Sequence, residues 1–262
     1  MRLQKYVQSL NASLRRHYHR KGKMRLKKPL IIAHRGFSGK FPENTKRAFM
    51  EAIAIKGCDG FEADVHLSAD GEPVIIHDTT LDRTTSGKGK VSDVTFKELR
   101  KLDIGSWMSP QFMGEQIMHL DELIALTIEH NKVLNLELKN YEAFYPRMEE
   151  IVINRINALN ASDHVFLSSF NHISMGKCKS IDPNIRTGLL YAYPLLEAEK
   201  YASLHGMDAI HPRYHLLRFE PDLVERANAL GIAVHTWTVN GAADMEMCVK
   251  MGVDSIITDY PF

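Results

Sequence analysis

Residues 60–78 read Gly-Phe-Glu-Ala-Asp-Val-His-Leu-Ser-Ala-Asp-Gly-Glu-Pro-Val-Ile-Ile-His-Asp, and three of their side chains have types and spacing suited to chemistry. Glu62 and Asp64 are two apart, so in an extended strand both carboxylates leave the same face. Ala69-Asp70-Gly71 lies between two apolar runs, a strong short-range hairpin signal. Folding back at that point is expected to set His77 opposite Glu62 and Ile75 opposite Asp64. Carboxylates crowded in this way repel and are costly to desolvate unless a cation or a proton is shared among them. The alternative is the solvated polar face of an edge hairpin. The rest of the chain has to decide.

Around this stretch, short apolar runs alternate with helical patterns. A strand over 31–34 is followed by Phe41-Pro-Glu-Asn-Thr45, where Asn44 or Thr45 can cap a helix running to about residue 56. Further helices are expected over about 95–102, 120–130 and 141–159. Strands are expected near residues 31, 60, 133, 165, 187, 209, 233 and 255. Eight strands separated by helices predict an α/β fold of the (β/α)8 TIM barrel type rather than an open sheet. His34-Arg35-Gly36 closes the first strand and does not match the Gly-x-Gly-x-x-Gly turn of open dinucleotide-binding sheets. Residues 79–118, rich in Asp, Thr, Ser, Gly and Lys, interrupt the rhythm and read as a small insertion after the second-strand hairpin. The expected organisation is an N-terminal extension over 1–28, then a barrel over 29–262 carrying that insertion.

Active sites of such barrels lie at the C-terminal ends of the strands. Those ends are polar here: His34-Arg35, Glu62 and Asp64, Glu137 to Lys139, Ser168-Ser169-Phe170, Trp237 to Asn240, and Asp259. Glu62, Asp64 and Glu137 converge from two strands and offer oxygen ligands for a hard divalent cation, Mg²⁺ or Ca²⁺. Zinc suits the set less, since it has no cysteine and no His-x-x-x-His pair. His34 and His77 aim at the same mouth, where one could remove a proton and the other supply one. Arg35 offers a planar fork for phosphate oxygens, and Lys139 shares the face of Glu137. Each residue has a structural alternative: a hydrogen-bonded histidine at a strand end, or a lysine that only pairs with Glu62 or Glu137. Their conjunction at strand ends favours a site.

The chain of 262 residues is 44% hydrophobic and 25% charged, as soluble globular proteins are. No apolar run approaches the roughly 20 residues of a membrane span. Cys58, Cys178 and Cys248 are scattered and odd in number, which predicts buried thiols in a reducing compartment. The net charge of +1 conceals an asymmetry, because residues 1–28 hold ten Lys and Arg and no acid, leaving −9 on the remainder. No secretory leader follows the basic patch, and the protein reads as cytoplasmic. The extension offers either weak contact with an anionic membrane, at about 1 kcal/mol per basic residue, or a solvated, partly helical arm. An acidic body without a binding motif argues against nucleic acid.

The ordered motifs resemble a known family. His34-Arg-Gly36, Pro42-Glu-Asn-Thr45, Phe61-Glu-Ala-Asp-Val65 and Pro73-Val-Ile-Ile-His-Asp78 look like the signature of glycerophosphodiester phosphodiesterases. The similarity continues through Leu81-Asp-Arg-Thr-Thr85, Leu102-Asp-Ile-Gly-Ser-Trp107, Leu136-Glu-Leu-Lys139, Trp237-Thr-Val-Asn240 and Thr258-Asp259, covering about residues 30–262. The resemblance implies a barrel with an insertion after the His-Asp motif and metal binding by Glu62, Asp64 and Glu137. It implies acid and base roles for His34 and His77, phosphate contacts from Arg35 and Lys139, and support from Glu43. Phe170 and Trp237 would line the pocket for the glycerol or the exchanged head group. The implied reaction is metal-dependent hydrolysis of a small glycerophosphodiester to glycerol 3-phosphate and an alcohol. Two alternatives remain: a lysophospholipase D acting on membrane lysophospholipids, and a barrel that only binds a phosphorylated ligand. Where the family reads Ile-Pro-Thr-Leu-Glu-Glu, this chain has Ile117-Met-His-Leu-Asp-Glu122, leaving His119 unassigned and expected at the surface.

Overall fold

The computed structural model describes residues 28–261, so the basic extension and its lipid contact lie outside the described residues except for Lys28. In chain order the strands are β1 (Leu30–His34), β2 (Gly60–Leu67), β3 (Pro73–Ile75), β4 (Met118–His119), β5 (Val133–Leu138), β6 (Val165–Ser169), β7 (Arg186–Tyr191), β8 (Ala209–Pro212), β9 (Ala233–Thr236) and β10 (Ser255–Thr258). All but β3 and β4 pair in parallel. β1 pairs with both β2 and β10, closing an eight-stranded barrel at the expected strand positions. The helices are α1 (Lys46–Ala54), α2 (Phe96–Leu99), α3 (Leu120–Glu129), α4 (Met148–Ala158), α5 (His172–Ile181), α6 (Ala198–Leu204), α7 (Leu223–Ala229) and α8 (Ala242–Met251). None is long and apolar enough to cross a membrane.

β2 shows why charged groups can stand inside. All eight of its residues are buried. Phe61, Ala63 and Val65 join the core beneath the helices, Phe61 meeting Phe49 of α1 edge to face at 5.4 Å. Glu62 and Asp64 take the opposite, inward face by the two-residue period. Burying a side chain such as Phe61 contributes about 1.5–3 kcal/mol, which helps to offset the cost of the charged face. Below that face the barrel is filled by Phe166, His211 and His235, whose ring centroids are 4.7–5.4 Å apart. A Cβ on Gly188 would come within 2.3 Å of His211 Nε2, so the ring requires glycine there. Cys58, Cys178 and Cys248 are all buried and unpaired.

Three local expectations fail for identifiable reasons. The hairpin is one residue out of the expected register: Val65 faces Ile75, His66 faces Val74, and the Asp64 carbonyl accepts from the Ile76 amide at 3.0 Å. The cause is a three-residue loop, with the Ser68 amide bonded to the Glu72 carbonyl and Gly71 at φ +79°, rather than a two-residue turn. β3 ends at Ile75, so His77 is not a ladder partner of Glu62. The helix expected over 141–159 starts at Met148, because Pro146 disfavours helix at the residue before it and Arg147 stands at φ +60°. His119 is buried rather than on the surface. Its Nδ1 accepts from the Asp121 amide to cap α3, and Nε2 meets Glu72 at 3.0 Å.

Residues 79–118 wrap a small separate core of Val74, Ile76, Leu81, Val91, Leu99, Ile104 and Ile117. α2 within it is shorter than the expected 95–102, and β4 leaves it to pair antiparallel with β3.

Candidate active site

β1 ends at His34 and the chain turns at once through Arg35 (φ +53°) and Gly36 (φ +77°). A Cβ at Gly36 would lie 2.7 Å from the backbone of Ala48, so the turn needs glycine. Left-handed backbone costs about 1–2 kcal/mol for a residue such as Arg35, and its contacts hold it there. The Arg35 amide donates to Glu62 Oε2 at 3.1 Å and Nη1 donates to Glu43 Oε1 at 2.9 Å. Its Nε lies 3.3 Å from Asp64 Oδ2. Asn44, also in left-handed backbone, donates to Asp64 Oδ2 at 2.9 Å, while Thr45 caps α1.

Glu62, Asp64 and Glu137 are buried, with one oxygen of each within 4.8 Å of the others. Lys139 Nζ donates to Glu137 Oε1 at 2.9 Å and lies 3.4 Å from Asp64 Oδ1. Three carboxylates thus face two cationic side chains, Arg35 and Lys139. Burial, with Asp64 and Glu137 adding to it, pushes Glu62 well above the carboxylate range. Burial raises Glu137 to about 7. Asp64 goes the other way, because Lys139 and Arg35 outweigh its burial. Lys139 is in turn held above its ordinary value by Asp64 and Glu137, against its burial. An all-oxygen set with an excess of acid, in which Asp64 Oδ1 accepts no hydrogen bond, suits a hard divalent cation.

Each expected histidine stands beside this cluster with a carboxylate on Nδ1. His34 Nδ1 is 2.6 Å from Asp259 Oδ1, and Nε2 is 3.8 Å from Glu62 Oε2. His77 Nδ1 is 2.6 Å from Asp78 Oδ1. Burial lowers the His77 imidazole, against the opposing pull of Asp64. Arg83 of the insertion donates to both Asp78 and Glu43, at 2.7–2.9 Å, and so joins the support of His77 to that of Arg35. Phe170 packs edge to face between Tyr141 and Trp237, at 5.2 and 5.5 Å. Lys139 Nζ lies 5.2 Å from the Tyr141 ring, so this aromatic row borders the charged cluster.

The structure therefore brings together His34, Arg35, Glu43, Glu62, Asp64, His77, Glu137 and Lys139, with Phe170 and Trp237 alongside. Sequence reasoning placed Asp259 among the polar strand ends without a role, and missed Asp78, Arg83 and Asn44 as parts of the site. Asp78 follows His77 and Arg83 lies in a quoted motif, so position could have flagged them as it did Asp259, just past the last strand. Nothing in the order of residues says that they bond to one another.

The model of the glycerophosphoryl diester phosphodiesterase family matches residues 34–262. The chain belongs to that family. A glycerophosphodiester phosphodiesterase of Caldanaerobacter subterraneus is 42% identical over 234 residues, spanning 89% of this chain and 95% of that one. The structure of an Oleispira antarctica phosphodiesterase in complex with the product sn-glycerol-3-phosphate superposes with a TM-score of 0.79 at 30% identity, covering 89% of this chain and 94% of that one. A glycerophosphodiester phosphodiesterase from Agrobacterium tumefaciens gives 0.77 at 29% identity, with 89% and 97% covered. As a member of the glycerophosphoryl diester phosphodiesterase family, the chain is an enzyme, a phosphoric diester hydrolase built on a TIM barrel.

Proposed function

We propose that the enzyme hydrolyses small glycerophosphodiesters to glycerol 3-phosphate and an alcohol, with His34 and His77 as the acid and base. The observation that carries this reading is the pair of histidines, each anchored through Nδ1 to a carboxylate, beside a buried cluster of three carboxylates. An imidazole whose Nδ1–H is given to a carboxylate keeps Nε2 for accepting or returning a proton. One histidine removes the proton of the attacking oxygen, either water or the glycerol 2-hydroxyl; in the second case the cyclic phosphate that forms is then opened by water to give glycerol 3-phosphate. The other protonates the departing alkoxide as its bond to phosphorus breaks. Arg35 and Lys139 contact the phosphate oxygens, and Glu43 holds the Arg35 fork in place. Phe170 and Trp237 line the pocket for the glycerol or the head group.

Glu62, Asp64 and Glu137 would hold Mg²⁺ or Ca²⁺. Such an ion, when bound, neutralises charge developing on the phosphoryl oxygens. The product complex of the Oleispira antarctica relative supports glycerol 3-phosphate as the product here. We further infer a cytoplasmic location, since three buried unpaired thiols suit a reducing compartment. The lysophospholipase D alternative rests on the basic extension over residues 1–28, and no feature among the described residues favours it.

The test is hydrolysis of glycerophosphocholine by protein stripped with EDTA. Activity is expected to vanish and to return on adding Mg²⁺ or Ca²⁺, with glycerol 3-phosphate and choline as products. Full turnover in EDTA would overturn the cation, and release of phosphocholine would overturn the bond assigned to cleavage.

A further inference from the structure

His66 is a fully buried titratable side chain that the reaction as described leaves unused. It lies two residues beyond Asp64 on β2, and both of its ring nitrogens are engaged. Nε2 is 2.9 Å from the His77 carbonyl oxygen, and Nδ1 is 2.8 Å from the Tyr145 hydroxyl. A carbonyl only accepts, so Nε2 carries the hydrogen, and in a neutral ring Nδ1 then accepts from Tyr145. The His77 carbonyl thereby selects the tautomer, and the Tyr145 hydroxyl, which can donate or accept, anchors the ring by donating to Nδ1.

The two segments joined in this way both matter to the site. His77 lies beyond the end of β3, where no ladder bond holds its carbonyl, and the His66 ring supplies that bond instead. Tyr145 belongs to the segment between Lys139 and α4, where it is buried in the main core, with its ring 5.6 Å from that of His66. The geometry points to His66 as a positioning residue for the hydrolysis: anchored at Nδ1 by Tyr145, it fixes the backbone of His77 through Nε2 and hence the reach of His77 Nε2. This inference rests on the acid–base role given to His77 above.

The test uses the full chain, glycerophosphocholine and saturating divalent cation, with kcat, KM and Tm measured for each variant. His66→Leu removes both bonds and is expected to lower kcat about 10²-fold, as a misplacement near 1 Å does, while KM changes little. His66→Gln offers an amide N–H to the His77 carbonyl and an oxygen to Tyr145, and should restore kcat to within about fivefold of the native enzyme. Tyr145→Phe should lower kcat about three- to tenfold by freeing the ring from its anchor, and should cost nothing more in the H66L background, where no ring is left to anchor. If His66→Leu fails to fold, native kcat for Tyr145→Phe alone would overturn the inference. Native kcat for His66→Leu would overturn the inference. So would His66→Gln as impaired as His66→Leu at equal Tm, or equal losses from Tyr145→Phe in both backgrounds. His77→Ala separates the two levels. Near-native turnover there would overturn the role of His77 itself, whereas an inactive His77→Ala beside an active His66→Leu would overturn only the positioning role.

Discussion

His34 and His77 have the same immediate partner, a carboxylate 2.6 Å from Nδ1, but the two pairs are built in opposite ways. His34 and Asp259 are 225 residues apart and meet because closing the barrel pairs Ala33 with Thr258. Asp259 also accepts from Ser38 at 3.0 Å and Asn240 at 2.6 Å, so the loops after β1 and β9, the two strands that flank β10, help to hold it in place. His77 and Asp78 are neighbours in the chain, beyond the end of β3 and outside the barrel ring. Their geometry depends on individual side chains: Arg83 on Asp78, and His66 on the His77 carbonyl. One histidine is positioned by a sheet, the other by a chain of hydrogen bonds. A sheet position survives the loss of one side-chain contact better than a chain of contacts does.

The largest effect is expected from the histidines themselves. His34→Ala and His77→Ala should each lower kcat at least about 10²-fold with Tm retained, and the double variant should fall far short of the product of the two losses. Near-native turnover by either would end the two-histidine reading. The sharper comparison is between the carboxylates. Asp78→Asn should lower kcat about 10²-fold and Asp259→Asn only about 10-fold, because the His34 backbone stays in its strand. Equal losses, or the reverse order, would break the contrast.

Arg83→Ala should come next, at about 10-fold in kcat, with little further loss when added to Asp78→Asn, since both act through His77. Additive losses would show that Arg83 acts by another route, such as its bond to Glu43. The smallest effect is on stability. Asp259, through His34 and its other partners, and Asp78, through Arg83 and His77, overcome burial and sit at about 2 instead of 3.8. A carboxyl depressed in the folded state contributes stability that is whole above its unfolded value and is lost as pH falls through the folded one. Urea midpoints should therefore decline between about pH 4 and pH 2, and each Asn variant should flatten part of that decline. An unchanged profile in both variants would contradict the depressed carboxyls.

The eight barrel strands could be read from the residues because each is a short apolar run bounded by turn signals, and such a run stays a strand wherever it lies. Glu62 with Asp64, and Glu137 with Lys139, could be read for a similar reason: a period of two fixes their common face. The hairpin register could not, since a two-residue and a three-residue loop both suit Ala69-Asp70-Gly71 and differ by one residue along the entire return strand. The late start of α4 was readable in Pro146 and was missed. His119 could not be placed, because its burial follows from β4 pairing with β3.

For this protein, then, local periodicity alone determined the barrel strands, the common face of the paired carboxylates and the place of His34 at the end of the first strand. Only the tertiary structure decided which groups orient His34 and His77. Asp259 reaches His34 through barrel closure, and Arg83 reaches Glu43 across 40 residues. The physical reason is range. Backbone period acts over neighbouring residues and is written in their order, whereas a hydrogen bond of 2.6–2.9 Å depends on the relative placement of whole elements, which hydrophobic packing sets.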